Sequence, residues 1–354
     1  MNISAVTLET VNANYRVRLP LSALQGLGHG TYLDEGSSIQ RPDILMRSDA
    51  VLFYRHWDRH ARRMARRLRE AGVGVIVDND DDLAGVTRDI AGYWRTGGIR
   101  AHHLLTEMGA MMREAHLVTA TTDALAARFA ELTPTPVRAI DNYLPIDWFQ
   151  RPDRRSDRVV IGWVAANEHK ADYQRLQLGE VFERLLERHP HLHIVSIGLG
   201  LGLRSDRYRH VQPIRFLELT RRVAEWDIGI APLADIPFSR GRSAIKLKEY
   251  AAAELPWVAS DIGPYRGLGP EQGGLVISND RWFKTLDQLV KDDRSRERLT
   301  LKSASWARTQ TIPSHAAEWH DAFAAAAAIA RGRPIPPPTT RAPSDRRVVQ
   351  ILTR

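Results

Sequence analysis

The amino-acid sequence predicts an α/β protein made of two doubly wound, Rossmann-like domains that face a central cleft. Short apolar runs, each suited to one buried strand, alternate with stretches of strong helix formers along most of the chain. A polar run of Arg, Asp, Ser and Pro at residues 151–158 divides this alternation into two parts. A chain of 354 residues can also bury two cores of ordinary domain size. We therefore expect one α/β domain on each side of a linker.

The first half shows its clearest pattern from residue 49 onward, and residues 1–50 carry the weakest one. Glycines at 26, 28 and 30 are not spaced as a dinucleotide fingerprint, so we interpret them as a helix end and a turn. Apolar runs predict strands at 49–54, 74–77, 117–121 and 136–140. Helical spacing predicts helices at 60–72, at 99–115 and from 122 onward, with Arg59 left in the preceding loop.

The second half repeats the alternation. Apolar runs predict strands at 159–164, 193–198, 228–233, 257–260 and 274–277. Stretches of helix formers predict helices at 216–225, 244–253, 282–290, 294–307 and 315–331. The remaining residues, 334–354, are rich in Pro, Arg and Thr, a composition that predicts a mobile tail.

Composition indicates a soluble, cytoplasmic protein. The longest apolar run, at 322–330, is rich in alanine and is shorter than the roughly 20 residues that a membrane span needs. Residues 1–15 lack the basic start and apolar middle of a secretory signal. The chain has no cysteine, which excludes disulfides and thiolate metal sites.

The formal charge of +8 invites a nucleic-acid interpretation, because basic surfaces attract polyanions. However, 44 of the 50 basic residues are arginine, a bias that coding composition alone can produce. No run interleaves aromatic and basic residues as a stacking groove would. Direct binding of nucleic acid is therefore the less favoured interpretation.

The most informative stretch lies at residues 227–268. Its strand at 228–233 ends in a polar and basic loop, 238–243, which enters the helix predicted at 244–253. A helix that starts at the carboxyl end of a parallel strand offers backbone N–H groups and a positive dipole end. This arrangement favours a phosphate site.

Side chains on the same turn would add to that site. Arg242, Ser243 and Lys246 supply donors for phosphate oxygens. Glu249 lies on the same helical face, where it can accept hydrogen bonds from ribose hydroxyls. The alternative is a surface unit whose basic residues are merely solvated.

Two further polar groups follow strands of the first half. The carboxylates of residues 78–82 repel one another, so we expect them to find a cation, a helix amino terminus or an arginine. Helix capping and acceptor positioning are favoured over a metal cage, which needs more ligands than one tight run supplies. His56 and His60 follow the strand at 49–54, and solvated loop histidines are the alternative for them.

Residues 227–268 resemble the donor-binding segment of GT-B-type glycosyltransferases, especially the family 4-like, or group 1, enzymes. The family pattern is Lys-x-x-Glu on a helix, then Ala-Ala/Gly-x-Pro-x-Val-Ala-Ser and Asp-x-Gly. The matching residues of this chain are Lys246, Glu249, Ala252, Ala253, Pro256, Val258, Ala259, Ser260, Asp261 and Gly263. Residues 78–83 are similar to a Tyr-Asp-x-Asp-Asp-Asp-Leu signature of one branch.

The resemblance implies a GT-B-type fold and transfer of a sugar from a nucleoside diphosphate sugar to an acceptor hydroxyl, with retention and without a bound metal or other cofactor. Many members carry two glutamates seven residues apart, and Gly241 stands in the place of the first. In the family, the first loop approaches the donor phosphate through its backbone, which points to residues 14–16.

The resemblance also implies roles for individual residues. Arg242 and Lys246 would neutralise the departing diphosphate, with Lys170, or His169 in its place, as a further basic contact. Ser243 would bind a phosphate oxygen and Glu249 the ribose. Because the first family glutamate is missing, Asp235 or Ser239 would approach the sugar. The acceptor-side candidates are His56, Asp80, Asp81 and Asp82.

The predicted organisation starts with an acceptor domain (1–150), a linker (151–158) and a donor domain (159–312). A terminal helix that returns to the first domain (313–333) and a tail (334–354) follow. The acceptor would be a glycan, protein, lipid or small molecule. One alternative is a sugar transferase acting on modified DNA, which the basic charge favours. Another is a non-catalytic module that binds nucleotide sugars, which Gly241 favours.

Overall fold

The computed structural model describes residues 1–8, 13–90, 93–149 and 157–339. It contains two six-stranded sheets whose neighbouring strands are parallel. The prediction of two doubly wound α/β domains is confirmed. Residues 151–156 of the predicted linker and 340–354 of the predicted tail lie outside the described residues.

The first sheet has the strand order β2-β1-β3-β4-β5-β6. Its strands are β1 (Asn2–Thr7), β2 (Gly30–Glu35), β3 (Ala50–Tyr54), β4 (Gly74–Asp78), β5 (Leu117–Ala120) and β6 (Val137–Ala139). All residues of β3 and β4 are buried, as in parallel sheets that are covered on both faces. The sequence did not predict β1, because buried polar residues interrupt its apolar pattern. One of them, Ser4, is satisfied by Ser48, with 2.7 Å between the Oγ atoms.

The helices of the first half are α1 (Leu19–Gly26), α2 (Pro42–Leu45), α3 (Arg59–Glu70), α4 (Tyr93–Thr96), α5 (Ile99–Met112) and α6 (Asp123–Ala130). Thr122 caps α6, since its Oγ1 accepts from Leu125 N at 3.2 Å. The Asp58 side chain caps α3 by accepting from the N–H groups of His60 at 2.8 Å and Ala61 at 3.1 Å. Arg59 therefore belongs to the helix and not to the loop, because the cap starts the helix one residue earlier than predicted.

The second sheet has the order β12-β11-β10-β7-β8-β9. Its strands are β7 (Val159–Ala165), β8 (Leu192–Gly198), β9 (Tyr208–Val211), β10 (Ile228–Ala231), β11 (Trp257–Ser260) and β12 (Gly274–Ile277). Glycine lets large rings lie directly on two of the strands. A Cβ atom would lie 2.4 Å from the Tyr250 ring at Gly229 and 1.9 Å from the Trp226 ring at Gly162.

The helices of the second half are α7 (Lys170–Arg175), α8 (Leu178–Arg188), α9 (Phe216–Val223), α10 (Pro237–Arg240), α11 (Ile245–Ala252), α12 (Trp282–Lys291), α13 (Asp293–Arg308) and α14 (Ile312–Ala330). The sequence 238–243 was expected to be a loop, and this is wrong for its first part. Pro237 starts the short helix α10, because proline suits the first helical position.

Helix α14 packs on the first sheet although it follows the second. Its backbone approaches β4 so closely that a Cβ atom at Gly74 would lie 2.7 Å from the Ala327 nitrogen. The start of the predicted tail is docked on this helix, since Thr339 N donates to Asp321 Oδ2 at 2.9 Å. Among the helices of the described residues, none is both long and apolar enough to cross a membrane.

The two halves contact each other at several places. An apolar cluster joins residues of both, namely Val86, Ile90, Ala171, Ile236 and Phe238. Beside it, Arg175 Nε donates to Asp89 Oδ2 at 2.6 Å. The main chain passes between the halves near Leu144 and again near residue 311, and these passages are hydrogen-bonded. Leu144 N donates to Gln310 O at 3.0 Å, and Ile312 N donates to Leu144 O at 2.9 Å.

Candidate active site

Helix α11 begins just beyond the carboxyl end of β10. No side chain caps its amino end, and its first turn carries no acidic residue. The backbone N–H groups of this turn and the helix dipole therefore favour an anion. Ser243 precedes the helix, and its Oγ accepts from Asn142 Nδ2 of the first half at 3.2 Å. The predicted phosphate site thus lies where the two halves meet.

Arg242 lies between the halves, with 18% of its side chain exposed. Its Nη2 is 3.3 Å from Glu168 Oε1, and the centre of its guanidinium is 5.2 Å from the Phe238 ring centre. Burial alone would raise the pKa of Glu168, but the positive charge of Arg242 brings it below its usual range. Asp81 of the first half also stabilises the charge of Arg242.

Lys246 is half-buried in the first turn of α11. Burial lowers the pKa of its ammonium group, and repulsion from Arg242 lowers it further. Glu249 and Glu168 offset only part of this effect. Two cations held close together in a partly desolvated place favour a bound anion, which would restore the pKa of Lys246.

Glu249 is 5% exposed and accepts a hydrogen bond from the Tyr15 hydroxyl. Tyr15 belongs to a π-helical turn, Asn14–Arg18, so this contact joins the two halves. Burial raises the pKa of Glu249, although Lys246 and the bond from Tyr15 act in the opposite direction. Glu249 is therefore positioned to accept from a hydroxyl group.

His169 and Asp172 form a buried pair after β7, with 2.7 Å between Nδ1 and Oδ2. The other oxygen, Oδ1, accepts from Ala234 N at 2.7 Å, so Asp172 joins this segment to the loop after β10. Burial raises the pKa of Asp172 to about 6. Burial and the charges of Arg242 and Lys246 lower the pKa of His169 well below its usual value. Lys170, the neighbour of His169, is exposed at the start of α7.

Arginines hold most of the acidic run of the first half. Arg16 is fully buried and binds Asp78 through Nε at 3.0 Å and Nη2 at 2.5 Å. Arg55 binds Asp80 through Nε at 2.6 Å and Asp81 through Nη2 at 2.5 Å. The expected arginine partners are therefore present.

Asp82 differs from its neighbours. It precedes the turn Leu83–Gly85, but its side chain makes no capping bond, so the prediction of helix capping is wrong for this residue. The helical turn is too short to compete with the arginines for the acidic run. Within the described ranges, no group of three or more His, Asp or Glu residues is arranged to hold a metal ion.

Gly241 contacts the first half. A Cβ atom at this position would lie 3.4 Å from the Asp82 Cβ and 3.5 Å from the Leu125 Cδ1. A glutamate side chain, which the resemblance implies at this position, would therefore meet Asp82 and Leu125. The space that the first family glutamate would need is bordered here by a carboxylate of the other half.

Three other candidates lie outside this cluster. Asp235 is exposed and pairs with Arg240, with 2.7 Å between Oδ1 and Nε. Ser239 is buried within α10. Within the part of the chain that the structure describes, neither side chain forms a hydrogen bond or ion pair with Arg242 or Lys246. His56 is buried after β3, where its Nδ1 lies 3.6 Å from Asp58 Oδ2.

The sequence did not point to Glu168 and Asp172, and the resemblance implied a backbone contact, not a side-chain contact, for Tyr15. The two acidic residues lie in the segment after β7, at the carboxyl edge where ligands bind in such sheets. Their position at this edge of the sheet is the signal that could have identified them as site residues. For the Tyr15 side chain, no local signal exists, because its partner is far away in the sequence.

No family model matches the chain, and no curated protein matches it. Several solved structures match the chain. Sucrose-phosphate synthase from Thermosynechococcus elongatus matches with a TM-score of 0.64 and 12% identity over 90% of this chain and 97% of that chain. HepE from Anabaena in complex with UDP-glucose matches with a TM-score of 0.64 and 10% identity over 90% and 98% of the two chains.

WaaG, a glycosyltransferase involved in lipopolysaccharide biosynthesis, matches with a TM-score of 0.58 and 14% identity over 94% of this chain and all of that chain, 100%. Identities this low establish similarity of architecture. The matches span nearly the full length of each protein, so both domains and their connection are shared. The chain therefore has the two-domain GT-B fold of these glycosyltransferase structures.

Proposed function

We propose that the protein is a glycosyltransferase that moves a sugar from a nucleoside diphosphate sugar to an acceptor hydroxyl. The proposal depends above all on Arg242 and Lys246, which lie together at the uncapped start of α11 and between the two halves. Structures with the same fold support the donor class, since HepE is in complex with UDP-glucose in one and with UDP and glucose in another.

In the proposed reaction, the bond between the anomeric carbon and the diphosphate oxygen breaks, and its electron pair leaves with the diphosphate. The acceptor oxygen bonds to the anomeric carbon, and the acceptor proton passes to a base. Arg242, Lys246 and the N–H groups of α11 stabilise the charge on the leaving group. Preorganised donors of this kind are worth about 3 kcal/mol each in the barrier. The resemblance supports retention at the anomeric carbon.

Other donor-side residues complete the proposed site. Ser243 donates to a phosphate oxygen, and Lys170 contributes a more exposed positive charge. Glu249 accepts from a ribose hydroxyl, which replaces the Tyr15 hydroxyl that it accepts from in the structure. Glu168 is the best candidate for a contact with the sugar, because it lies beside Arg242 and remains partly exposed.

On the acceptor side, Asp82 is the proposed base. Asp80 and Asp81 are held by Arg55, whereas the Asp82 side chain has no hydrogen bond or ion pair within the described residues and lies next to Gly241. We assign residues 1–150 to the acceptor, 159–312 to the donor and 313–333 to the returning helix, and we place the reaction in the cytoplasm. The nucleotide sugar acts as a co-substrate, and no other cofactor is proposed.

The test is a panel of UDP, GDP, ADP and dTDP sugars, with released nucleoside diphosphate as the readout. We expect release from at least one donor. Arg242→Gln should reduce it about 100-fold because the leaving group loses its main cation. Arg240→Gln is the matched control. Its side chain pairs with Asp235 on the surface, so release should stay within about twofold.

Two results would contradict the proposal. If no sugar nucleotide in the panel binds the purified chain in calorimetry, the site is not a donor site. If donors bind tightly but no nucleoside diphosphate is released with or without acceptors, the chain is a binding module.

A further inference from the structure

A separate cavity of about 380 Å³ lies on the first half, at the carboxyl edge of its sheet. Residues after β2, residues after β3 and the first turns of α3 line it. Because β2 and β3 flank β1, the segments that follow them face each other across the end of β1. In open α/β sheets, this is the edge where ligands bind.

Four of the six arginines of α3 form two pairs with different surroundings. Arg62 pairs with Glu107 at 2.9 Å, and Arg66 pairs with Glu114 at 2.6 Å, so these two face α5. Arg63 and Arg67 lie one turn apart, line the cavity and are exposed. Within the described residues, neither of them forms an ion pair. The cavity thus has two guanidinium groups that lie beyond ion-pair distance of every carboxylate in the described part of the chain.

His56 lines the same cavity and is only 7% exposed. Its Nε2 is buried and has no hydrogen-bond partner in the part of the chain that the structure describes. A buried polar atom in this state is costly, and it indicates a missing partner such as a ligand or a bound water. His56 is therefore a second and independent sign that this cavity is built for a polar group.

One carboxylate, Asp58, also lines the cavity. Its Oδ1 already accepts from the N–H groups of His60 and Ala61 at the start of α3. Its other oxygen lies 3.6 Å from His56 Nδ1. Asp58 therefore caps the helix and lies beside the imidazole of His56. Its single negative charge offsets only one of the two arginine charges. The helix amino terminus is occupied by this cap, so attraction for an anion must come from Arg63 and Arg67.

We propose that this cavity binds the phosphate of a small phosphorylated acceptor. A phosphomonoester carries a charge between about −1.5 and −2 and has three acceptor oxygens. It therefore matches two guanidinium groups better than a ligand with a single carboxylate does. The hydroxyls of Ser37 and Ser38 lie at the same cavity and can donate to it. The inference rests on the proposed transfer reaction, whose acceptor it defines.

The position of the cavity fits this role. His56 directly follows Arg55, which binds Asp80 and Asp81 of the acceptor-side run. A phosphate held by Arg63 and Arg67 would place the rest of an acceptor at the same edge of the sheet as that run. The phosphate would then act as an anchor, and the hydroxyl that reacts would lie on another part of the acceptor.

A binding experiment tests the cavity without any donor. Calorimetry with inorganic phosphate and with glycerol 3-phosphate, and with glycerol as the neutral control, is done in the Lys246→Ala background to weaken binding at the donor site. The Arg63→Gln/Arg67→Gln pair should weaken phosphate binding about tenfold or more. The Arg62→Gln/Arg66→Gln pair removes the same charge from the other face of α3, and its affinity should stay within about twofold.

A turnover experiment tests the acceptor. With the donor that the panel identifies, hexose 6-phosphates should be preferred over the matching hexoses by about tenfold or more, and the Arg63→Gln/Arg67→Gln pair should lose this preference. Equal effects of both arginine pairs, or equal use of phosphorylated and neutral acceptors, would overturn the proposal. So would a salt-sensitive affinity for duplex DNA that depends on Arg63 and Arg67.

The two proposals fail in different ways. Absence of donor turnover with phosphate binding intact contradicts the transfer reaction and leaves the anion site standing. Donor turnover with no phosphate binding in this cavity contradicts only the anion site. Unchanged thermal unfolding of both double variants would show that a lost affinity is not a loss of folding.

Discussion

The two halves of the molecule differ in how completely their charged residues are paired. In the first half, Arg16 is 0% exposed and binds Asp78 through two nitrogen atoms at 3.0 and 2.5 Å. In the second half, Arg242 is 18% exposed, and its contact with Glu168 is a single one at 3.3 Å. Both arginines lie near carboxylates, but only the first is fully matched.

The difference separates a charge that stabilises the fold from a charge that remains available to a ligand. A buried arginine with complete partners has no remaining capacity for a ligand, and its loss leaves a buried carboxylate unmatched. A cation with one long contact keeps donors that a phosphate can use. Spacing in the sequence does not make this distinction, because Asp78 is 62 positions from Arg16 and Glu168 is 74 positions from Arg242.

The largest effect should come from breaking the matched pair. Arg16→Met keeps most of the side-chain volume but leaves Asp78 buried without its cation. We expect a loss of about 3–5 kcal/mol in the free energy of unfolding, measured by chemical denaturation.

The control for this variant is Arg16→Met combined with Asp78→Asn. Removing both charges should recover a large part of the loss, because a neutral pair has no uncompensated charge to bury. If Arg16→Met alone unfolds at the same denaturant concentration as the wild type, the pair is not structural and the contrast between the two halves disappears.

The next effect separates two lysines of α11. Lys246→Ala should reduce nucleoside diphosphate release about 100-fold or more and leave thermal unfolding unchanged. Lys248 is 2% exposed and bonds to Asp141 Oδ2 at 2.7 Å and to Asn142 O at 2.9 Å. Lys248→Ala should therefore cost about 2 kcal/mol of stability. Unchanged turnover in Lys246→Ala would remove this lysine from the site.

A smaller effect should appear in the pH dependence of the free energy of unfolding. Burial raises the pKa of Asp172 to about 6 in the folded chain, above its value near 4 in an unfolded chain. As pH rises from about 4 to 6, the unfolded state loses this proton first, so the wild type loses stability relative to Asp172→Asn. The relative loss should reach about 2 kcal/mol by pH 7.

The measurement compares chemical denaturation of the wild type and Asp172→Asn between pH 4 and pH 7. Only the pH dependence of their difference counts, because the substitution also changes the bonds to His169 and Ala234. Parallel stability curves would mean that Asp172 ionises as readily in the folded chain as in the unfolded one.

The smallest effect is expected at Gly241. A Cβ atom there has ordinary contact distances of 3.4 and 3.5 Å to its nearest neighbours, so Gly241→Ala should change stability by less than about 0.5 kcal/mol. Gly241→Glu should lower turnover, because the longer side chain meets Asp82 and Leu125. Higher turnover in Gly241→Glu would indicate that the site lacks the first family glutamate and has no substitute for it.

Local patterns predicted much of the second half. The strand predicted at 257–260 matches β11, and the helix predicted at 244–253 differs from α11 by one residue at each end. These elements have continuous apolar or helix-forming runs, and the contacts that stabilise them are close in sequence. For the same reason, the location of Lys246 and Glu249 on one helix, with Arg242 in the segment before it, could be predicted.

The rest depended on contacts between distant residues. Tyr15 and Glu249 are 234 positions apart, and Arg16 and Asp78 are 62 apart, so no window of sequence contains either pair. The sequence showed that the acidic run needs partners, but not which arginines supply them. The exposure of Lys170 and Asp235 and the burial of Ser239 are likewise set by packing between elements.

The two passages of the main chain between the domains are bonded to each other at Leu144 and Ile312. We expect adjacent crossings of this kind to act as a hinge about which the domains can swing apart. Such a swing must separate Tyr15 from Glu249. We therefore expect the ribose to gain access to Glu249 only in the open form, which couples donor entry to domain motion.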